Sequence, residues 1–588
     1  MYHRGPDAQG CYRHRTPNGR NALLLNRRLA IIDLDERASQ PLRCGTRVLS
    51  YNGEIYNYRE LRDALAREGV AFRTTSDTEV LAQLLSGEGW RALDRCEGMW
   101  GLAQFDEAAG SLLLSRDRFG EKPVYLMRDA AGGIYFGSEV KFLAALAGIR
   151  PEVDIDHLSR YMVNGYKALY KAGRCFFKGV SELPPGSALL VGADGTASEQ
   201  RYWHPGAPVA DESLSYEDSV ARVREALVRS VELRLRADVP LAFCLSGGVD
   251  SNSLIAIAKR VLGYDVHGFT ILNRDVRYDE GEMVDIAVRE LGLRHTAVPI
   301  DNSGFLDKLR LLVREHDAPV YTITYYVQWQ LMQHIAAQGY KVSISGTGAD
   351  ELFSGYYDHH NFYLATVAND PVRYETALAD WQTHIAPIVR NPFLQDPAVF
   401  VANPAERRHI YLNADEFSDC LRCPWSEDFT EDAFCPDILR NRMMNELFHE
   451  AVPPILHEDD LNAMYYSVEN RSPYLDRHLF ETMLRVPTRH LVRNGRAKAL
   501  LRDAVRDVAP EAVIDNPRKV GFNAPIHDLL DTSDARVRDA LLDDSPIFDY
   551  VRRDRIKALI QRSVLPNSES KFLFYFVSAK IFLEEFAA

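Results

Sequence analysis

The chain has 588 residues, 46% of them apolar and 26% charged, a length that exceeds one hydrophobic core and a composition ordinary for a soluble enzyme of two or more domains. With 69 Lys and Arg against 83 Asp and Glu, the formal charge of −14 argues against wrapping of nucleic acid and suits small polar ligands. Apolar stretches fall short of the ~18 residues that a membrane span needs, and the first residues carry no secretory apolar run, so a cytoplasmic protein without a membrane partner is expected.

From residue 22 to about 200 the pattern is one of short apolar runs between turns: Leu23–Leu25, Leu29–Ile32, Arg47–Tyr51, Leu112–Leu114 and Ile134–Phe136. These runs predict antiparallel sheets, with a few helices such as Tyr58–Glu68. The breaker-rich stretch from His204 reads as a linker over 204–216, giving domains 1–203 and 217–588. Beyond it, Tyr216–Leu235 has helical spacing, and strands from Leu241, Gly268–Ile271 and Val342–Ser345 alternate with helices Glu282–Leu291 and Val327–Gln338. Such alternation predicts a parallel sheet with ligands at the carboxyl ends of its strands. The tail over 437–588 reads as mostly helical. The eight cysteines are scattered and read as reduced thiols, since Cys420, Cys423 and Cys435 lack a fourth ligand for a zinc knuckle.

Two loops carry the chemistry. The first strand runs into Leu245-Ser246-Gly247-Gly248-Val249-Asp250-Ser251 and then a helix. Glycines there let the backbone approach anionic oxygens, the first helical amides point at them, and the Ser246 and Ser251 hydroxyls add donors. The loop lacks the lysine of G-x-x-x-x-G-K-[ST], which suits release of pyrophosphate as a unit from ATP. Asp250 is the residue to hold the Mg²⁺ that screens it. The second loop, Ser345-Gly346-Thr347-Gly348-Ala349-Asp350-Glu351, repeats this logic with the carboxylate pair Asp350 and Glu351 for a further magnesium contact.

Together these loops resemble the SGGxDS and SGxGxDE motifs of the synthetase half of glutamine-dependent asparagine synthetases. The resemblance extends to Glu469-Asn-Arg471-Ser-Pro473-Tyr-Leu475-Asp476, with Tyr474 for Phe, and to Lys498-Ala-Leu-Leu501-Arg502. It implies an ATP-dependent ligase that adenylates a carboxylate and passes ammonia to it. Lys498 would stabilise the adenylation transition state, Leu245 and Ile271 would lie near adenine and ribose, and Ser345 and Gly346 would lie at the nucleotide. Glu469 corresponds to a glutamate that serves as part of a base in β-lactam-forming relatives; read from the residues alone, it is an ion-pair partner of Arg471. The family has Glu where this chain has Thr347, and a threonine neither orients an amine nor takes a proton from ammonia as well. The acceptor therefore stays open between aspartate, a uronic acid sugar of surface polysaccharide, an acylated amino acid and an intramolecular amide. A ligase using only free ammonia, with a vestigial first domain, stays open as well.

The first half resembles the family's glutaminase domain through His3-Arg4-Gly5-Pro6-Asp7, Asn26-Arg27-Arg28-Leu29-Ala30-Ile31-Ile32-Asp33, Asn52-Gly53-Glu54-Ile55-Tyr56-Asn57 and Ser76-Asp77. The resemblance implies a glutamine site in which Arg28 and the segment Leu29, Ala30, Ile31, Ile32 hold the carboxylate. Asn52 and the Gly53 amide would form an oxyanion hole, and Glu54 and Asp77 would bind the amine. The family's nucleophile is a cysteine at the extreme N-terminus, before HRGPD; here His3 follows Met1 by two residues, and Cys11 comes after the motif with its nitrogen blocked. The sequence as given is therefore expected not to hydrolyse glutamine, and the missing first strand to leave unpaired sheet edges. Of the explanations, a start inside a longer product or a shortened chain is preferred over a protein that uses free ammonia, because a complete glutamine pocket serves no purpose without its thiol. The implied fold is an α+β Ntn-hydrolase-like αββα domain without its first strand. An α/β parallel-sheet domain of the adenine nucleotide α-hydrolase-like type with a helical C-terminal part follows it. ATP and Mg²⁺ are the expected cofactors, glutamine or ammonia and a carboxylate acceptor the partners, and a homodimer stays open as its assembly. Arg518–Phe522 reads equally as a mobile cover over the adenylate or a surface turn.

Overall fold

The computed structural model describes residues 1–272, 280–517, 526–562 and 565–587. Residues 518–522 lie outside the described residues. In the first half, β1 (Ala8–Arg15) and β2 (Asn21–Arg28) form an antiparallel ribbon. The following strands are β3 (Leu42–Cys44), β4 (Arg47–Ile55), β5 (Gly98–Asp106), β6 (Ser111–Arg116), β7 (Tyr125–Arg128), β8 (Ile134–Gly137), β9 (Val180–Glu182), β10 (Ser187–Val191) and β11 (Ala197–Arg201). Six of them form an antiparallel sheet in the order β11-β10-β6-β5-β4-β3, and β8-β7-β9 form a smaller one. Helices Tyr58–Arg67 and Asp77–Glu88 follow β4, and the second begins where the Ser76 hydroxyl accepts the Glu79 amide at 3.2 Å.

One run predicted as strand is not one. Strand β2 ends at Arg28, and Leu29–Ile32 continue as irregular chain. The backbone groups of this segment pair elsewhere: the Ala30 amide donates to Asp7 at 2.7 Å, and the Asp238 amide donates to the Ile31 carbonyl at 2.8 Å. Its apolar content reflects burial of Ile31 and Ile32 in the core instead of a ladder.

The second half holds β12 (Leu241–Cys244), β13 (His267–Leu272), β14 (Arg294–Pro299), β15 (Val342–Ile344) and β16 (Glu469–Arg471). They form one sheet in the order β14-β13-β12-β15-β16, every pair parallel. This all-parallel sheet, with helices such as Tyr216–Arg234, Val249–Ala256 and Gly281–Leu291, is the α/β class expected from the alternation. The helix predicted from Val327 begins at Ile323, because Tyr325 and Tyr326, residues that read as strand formers, are buried on its first turn. Strand β16 is the larger correction. The tail over 437–588 reads as mostly helical, yet Glu469–Arg471 returns to the edge of the sheet beside β15, over a hundred residues upstream in sequence. Among the described residues no helix is long and apolar enough to cross a membrane.

Buried charges join the halves. Arg4 donates to Asp460 at 2.8 Å and to Glu139 at 3.0 Å, and Lys122 reaches Asp460 at 3.1 Å. Burial opposes charge on Asp460, but Arg4 and Lys122 outweigh it and hold its carboxyl below the usual range. We expect Asp460→Asn, which leaves two buried cations short of a counter-charge, to cost about 3 kcal/mol or more, read as a lower denaturation midpoint in urea.

Candidate active site

The two glycine loops meet at the carboxyl ends of adjacent strands. Strand β12 pairs with β15 in parallel, Leu241 opposite Val342, so Ser246 and Ser345 leave the sheet side by side. A Cβ on Gly346 would sit 3.1 Å from the Asp250 Cβ, so this glycine lets the second loop close onto the first. The first loop is held by its own side chains: the Ser246 and Ser251 hydroxyls lie 3.0 Å apart, and buried Asn252 donates to the Ser246 and Gly248 carbonyls at 2.8 Å each. Leu245 is buried, its amide bonded to the Phe269 carbonyl of β13 at 2.9 Å, and Ile271 lies in β13, half-buried. Gly247 and Gly248 lie in the turn between β12 and the helix that starts at Val249.

Lys498 stands between both loops. Its Nζ lies 2.6 Å from each oxygen of Asp250 and 2.6 Å from Asp350 Oδ1, and the residue is 5% exposed. Burial disfavours the ammonium, but the two carboxylates outweigh it and raise its pKa. The lysine sits at φ +57° just before helix Ala499–Ala504. Gly355 presses on it: a Cβ there would lie 2.3 Å from Lys498 Cε, so this position admits only glycine, a constraint the motif alone did not reveal. Tyr474, where the family has Phe, donates its hydroxyl to the Asp250 carbonyl at 2.9 Å and so braces the same aspartate.

Asp350 and Glu351, expected to act as a pair, face different ways. Asp350 meets Lys498, whereas Glu351 is buried and accepts the Tyr356 hydroxyl. Burial and then the Asp350 charge push Glu351 up to about 7. Of the carboxylates expected to meet a metal, Asp250 and Asp350 converge on Lys498, whereas Glu351 is turned to Tyr356.

Thr347 is half-buried at the crevice and donates to Asp459 Oδ2 at 2.8 Å. Gln328 and Asn470 donate to the same aspartate, and none of Asp459, Gln328 and Asn470 was read from sequence. The available signal was a run of three acids, Glu458-Asp459-Asp460, in the middle of a largely buried helix, Val452–Tyr465.

Glu469 is placed apart from Lys498. It opens β16 at the amino end of the strand, is 5% exposed, accepts from Arg471 Nε at 2.9 Å and lines a cleft of the first half. It forms the ion pair with Arg471 read from the residues alone, and Arg471 is itself 3.5 Å from Glu54. The cleft is also lined by Arg4, Arg28, Leu29, Ile31, Ile32, Asn52, Gly53, Glu54 and Asp77, so most of the expected glutamine residues share one cavity. Ala30 is buried beside it, its amide on Asp7. Arg28 spends its guanidinium on the Asp35 carbonyl at 2.8 Å and the Ile32 carbonyl at 3.2 Å. Asp77 accepts the Tyr51 hydroxyl and the Ile55 amide. Glu54 Oε2 is buried without a hydrogen-bond partner among the described residues. Burial, then the Asp77 and Glu469 charges, push this carboxyl well above its ordinary range.

Two glycine loops facing a lysine, joined to a domain with a polar cleft lined by carboxylates and guanidiniums, fit the class of glutamine-dependent carbon–nitrogen ligases. The chain belongs to the asparagine synthase family, whose model matches residues 222–582, and a glutamine amidotransferase domain model matches residues 1–203. It is similar to asparagine synthetase [glutamine-hydrolyzing] 1 of Bacillus subtilis (strain 168), 29% identical over 95% of this chain and 88% of that protein. A putative asparagine synthetase [glutamine-hydrolyzing] of Mycobacterium tuberculosis (strain ATCC 25618 / H37Rv) is 29% identical over 90% of this chain and 83% of that protein. Amidase chyE of Penicillium rubens is 26% identical over 89% of this chain and 84% of that protein.

Proposed function

We propose that this chain activates a carboxylic acid as its acyl adenylate at the β12–β15 crevice and converts it to an amide with ammonia. The observation that carries this reading is the convergence of Asp250 and Asp350 on Lys498 at the ends of two glycine loops. The acceptor carboxylate attacks the α phosphorus of ATP, the bond to the bridging oxygen breaks, and pyrophosphate leaves with that oxygen. Bound Mg²⁺ would screen the charge of the departing pyrophosphate, with Asp250 and Asp350 as its protein ligands. Lys498 opposes the charge that grows on the α phosphate and is held rigidly enough to do so without reorganisation. The hydroxyls of Ser246 and Ser251, with the first helical amides, suit the leaving group. Ammonia then attacks the adenylate carbonyl, AMP leaves, and a proton is lost to give the amide. In the first half, the Glu54 oxygen without a partner suits the ammonium of glutamine as amide donor, and Asn52 with the Gly53 amide suits an oxyanion.

Aspartate is the first acceptor to test, as in asparagine synthetases. A second reading, amidation of a uronic acid or acylated amino acid, is favoured by Thr347, which replaces the carboxylate of the family's loop. The test is pyrophosphate release with aspartate, uronic acids and N-acyl amino acids in turn. Thr347→Ala is expected to alter the ranking of these acids while the KM for ATP moves less than about twofold; an unchanged ranking contradicts a role for Thr347 in acceptor choice.

A further inference from the structure

Three neighbouring acids on helix Val452–Tyr465 meet different surroundings. Glu458 accepts the Tyr321 amide at 2.8 Å and lies 3.2 Å from His316. Asp460 has Arg4 and Lys122. Asp459, 3% exposed, has only neutral donors: Gln328 Nε2 at 2.5 Å on Oδ1, and on Oδ2 the Thr347 hydroxyl at 2.8 Å with Asn470 Nδ2 at 3.5 Å. Among the described residues no Lys, Arg or His pairs with it. A carboxylate left so is costly, and burial pushes it up to about 6, whereas Asp460, equally buried, is held low by its cations.

The hydroxyls between them are oriented. Asn470 Nδ2 donates to Ser345 Oγ at 2.9 Å, Ser345 Oγ lies 3.3 Å from Thr347 Oγ1, and Thr347 donates to Asp459. With Asn470 as donor, the Ser345 proton is free to point to Thr347, and the Thr347 proton is committed to Asp459. One lone pair of Thr347 then remains toward the half-exposed crevice, its basicity raised by the chain behind it.

We infer that Asp459 is the specificity-determining carboxylate of the acceptor site, acting through Thr347 to bind a cationic amine on the acid being activated. The charge that the family carries on the third loop residue is supplied here from a neighbouring helix. Thr347 touches the amine, and Asp459 is a positioning residue that fixes its hydroxyl and supplies the negative field. An acceptor with an ammonium near its reacting carboxyl gains from that field, whereas a uronic acid or an N-acylated acid leaves Asp459 uncompensated. The inference rests on the ligase reading.

The full chain is tested by pyrophosphate release with aspartate, N-acetylaspartate and galacturonate. Wild type is expected to favour aspartate, and Asp459→Asn to raise its KM about tenfold or more while leaving the KM for ATP within about twofold. The double variant D459N/T347E, which returns a carboxylate to the loop, is expected to recover part of the loss, a rescue that a merely structural role would not allow. Equal kcat/KM for aspartate and N-acetylaspartate in wild type, an unchanged aspartate KM in D459N, or a parallel rise of both KM values would overturn the assignment. ATP binding without pyrophosphate release from any acid would overturn the ligase reading beneath it.

Discussion

Lys498→Ala is expected to lower pyrophosphate release by about a thousandfold while the protein stays folded and still binds ATP with Mg²⁺. The size follows from the setting: one preorganised donor removed from a buried transition-state site costs about 2.7–4 kcal/mol. Lys498 is fixed from three sides, by Asp250, by Asp350 and by the bare Cα of Gly355. Arginine is not expected to substitute, because its planar fork needs the space that Gly355 closes. The alanine variant leaves two carboxylates facing each other, so Mg²⁺ alone should raise its melting temperature more than that of wild type. Turnover within about tenfold of wild type would remove the lysine from the proposed chemistry.

Arg442→Leu is expected to be the most damaging single change to stability. Arg442 is fully buried and faces four carboxylates: Asp358 at 3.4 Å, Glu431 at 3.0 Å, Glu446 at 2.9 Å and Glu450 at 2.6 Å. His359 on Glu446 at 2.6 Å and Lys167 on Glu450 at 2.8 Å supply part of the remaining positive charge. Asp358, His359 and Glu446 could each offer a ligand atom to a metal, but both carboxylates already pair with the guanidinium. Leucine leaves buried carboxylates without a counter-charge, at a cost of about 3–5 kcal/mol, enough to remove a large share of the stability of a domain. Denaturant unfolding would show it; a midpoint equal to that of wild type would mean that the network contributes little net stability.

The sequence showed most of what is local. The two glycine loops, the parallel sheet behind them and the antiparallel first half follow from period and turn residues, and Asp250, Asp350 and Lys498 do meet. What it concealed is contact between distant segments. Glu469 carried a role only through the resemblance, and nothing in its motif shows that a three-residue strand at the sheet edge places it on the cleft shared with Glu54 and Asp77. The acid run Glu458–Asp460 was visible, but which of its members lacks a cation depends on neighbours far away in sequence. Leu29–Ile32 read as strand because burial and strand formation leave the same apolar signature. Gly355 lies four residues past the second loop, and only the approach of Asp350 and Lys498 explains why a side chain fits poorly there.

The central claim is that a carboxyl oxygen captures the AMP portion of ATP in the crevice between β12 and β15. It is tested most directly by supplying an acceptor acid whose carboxylate carries heavy oxygen and following the phosphorus products. The account predicts pyrophosphate and AMP, with one labelled oxygen delivered to the AMP phosphate; ADP and inorganic phosphate, or AMP free of label, would contradict it.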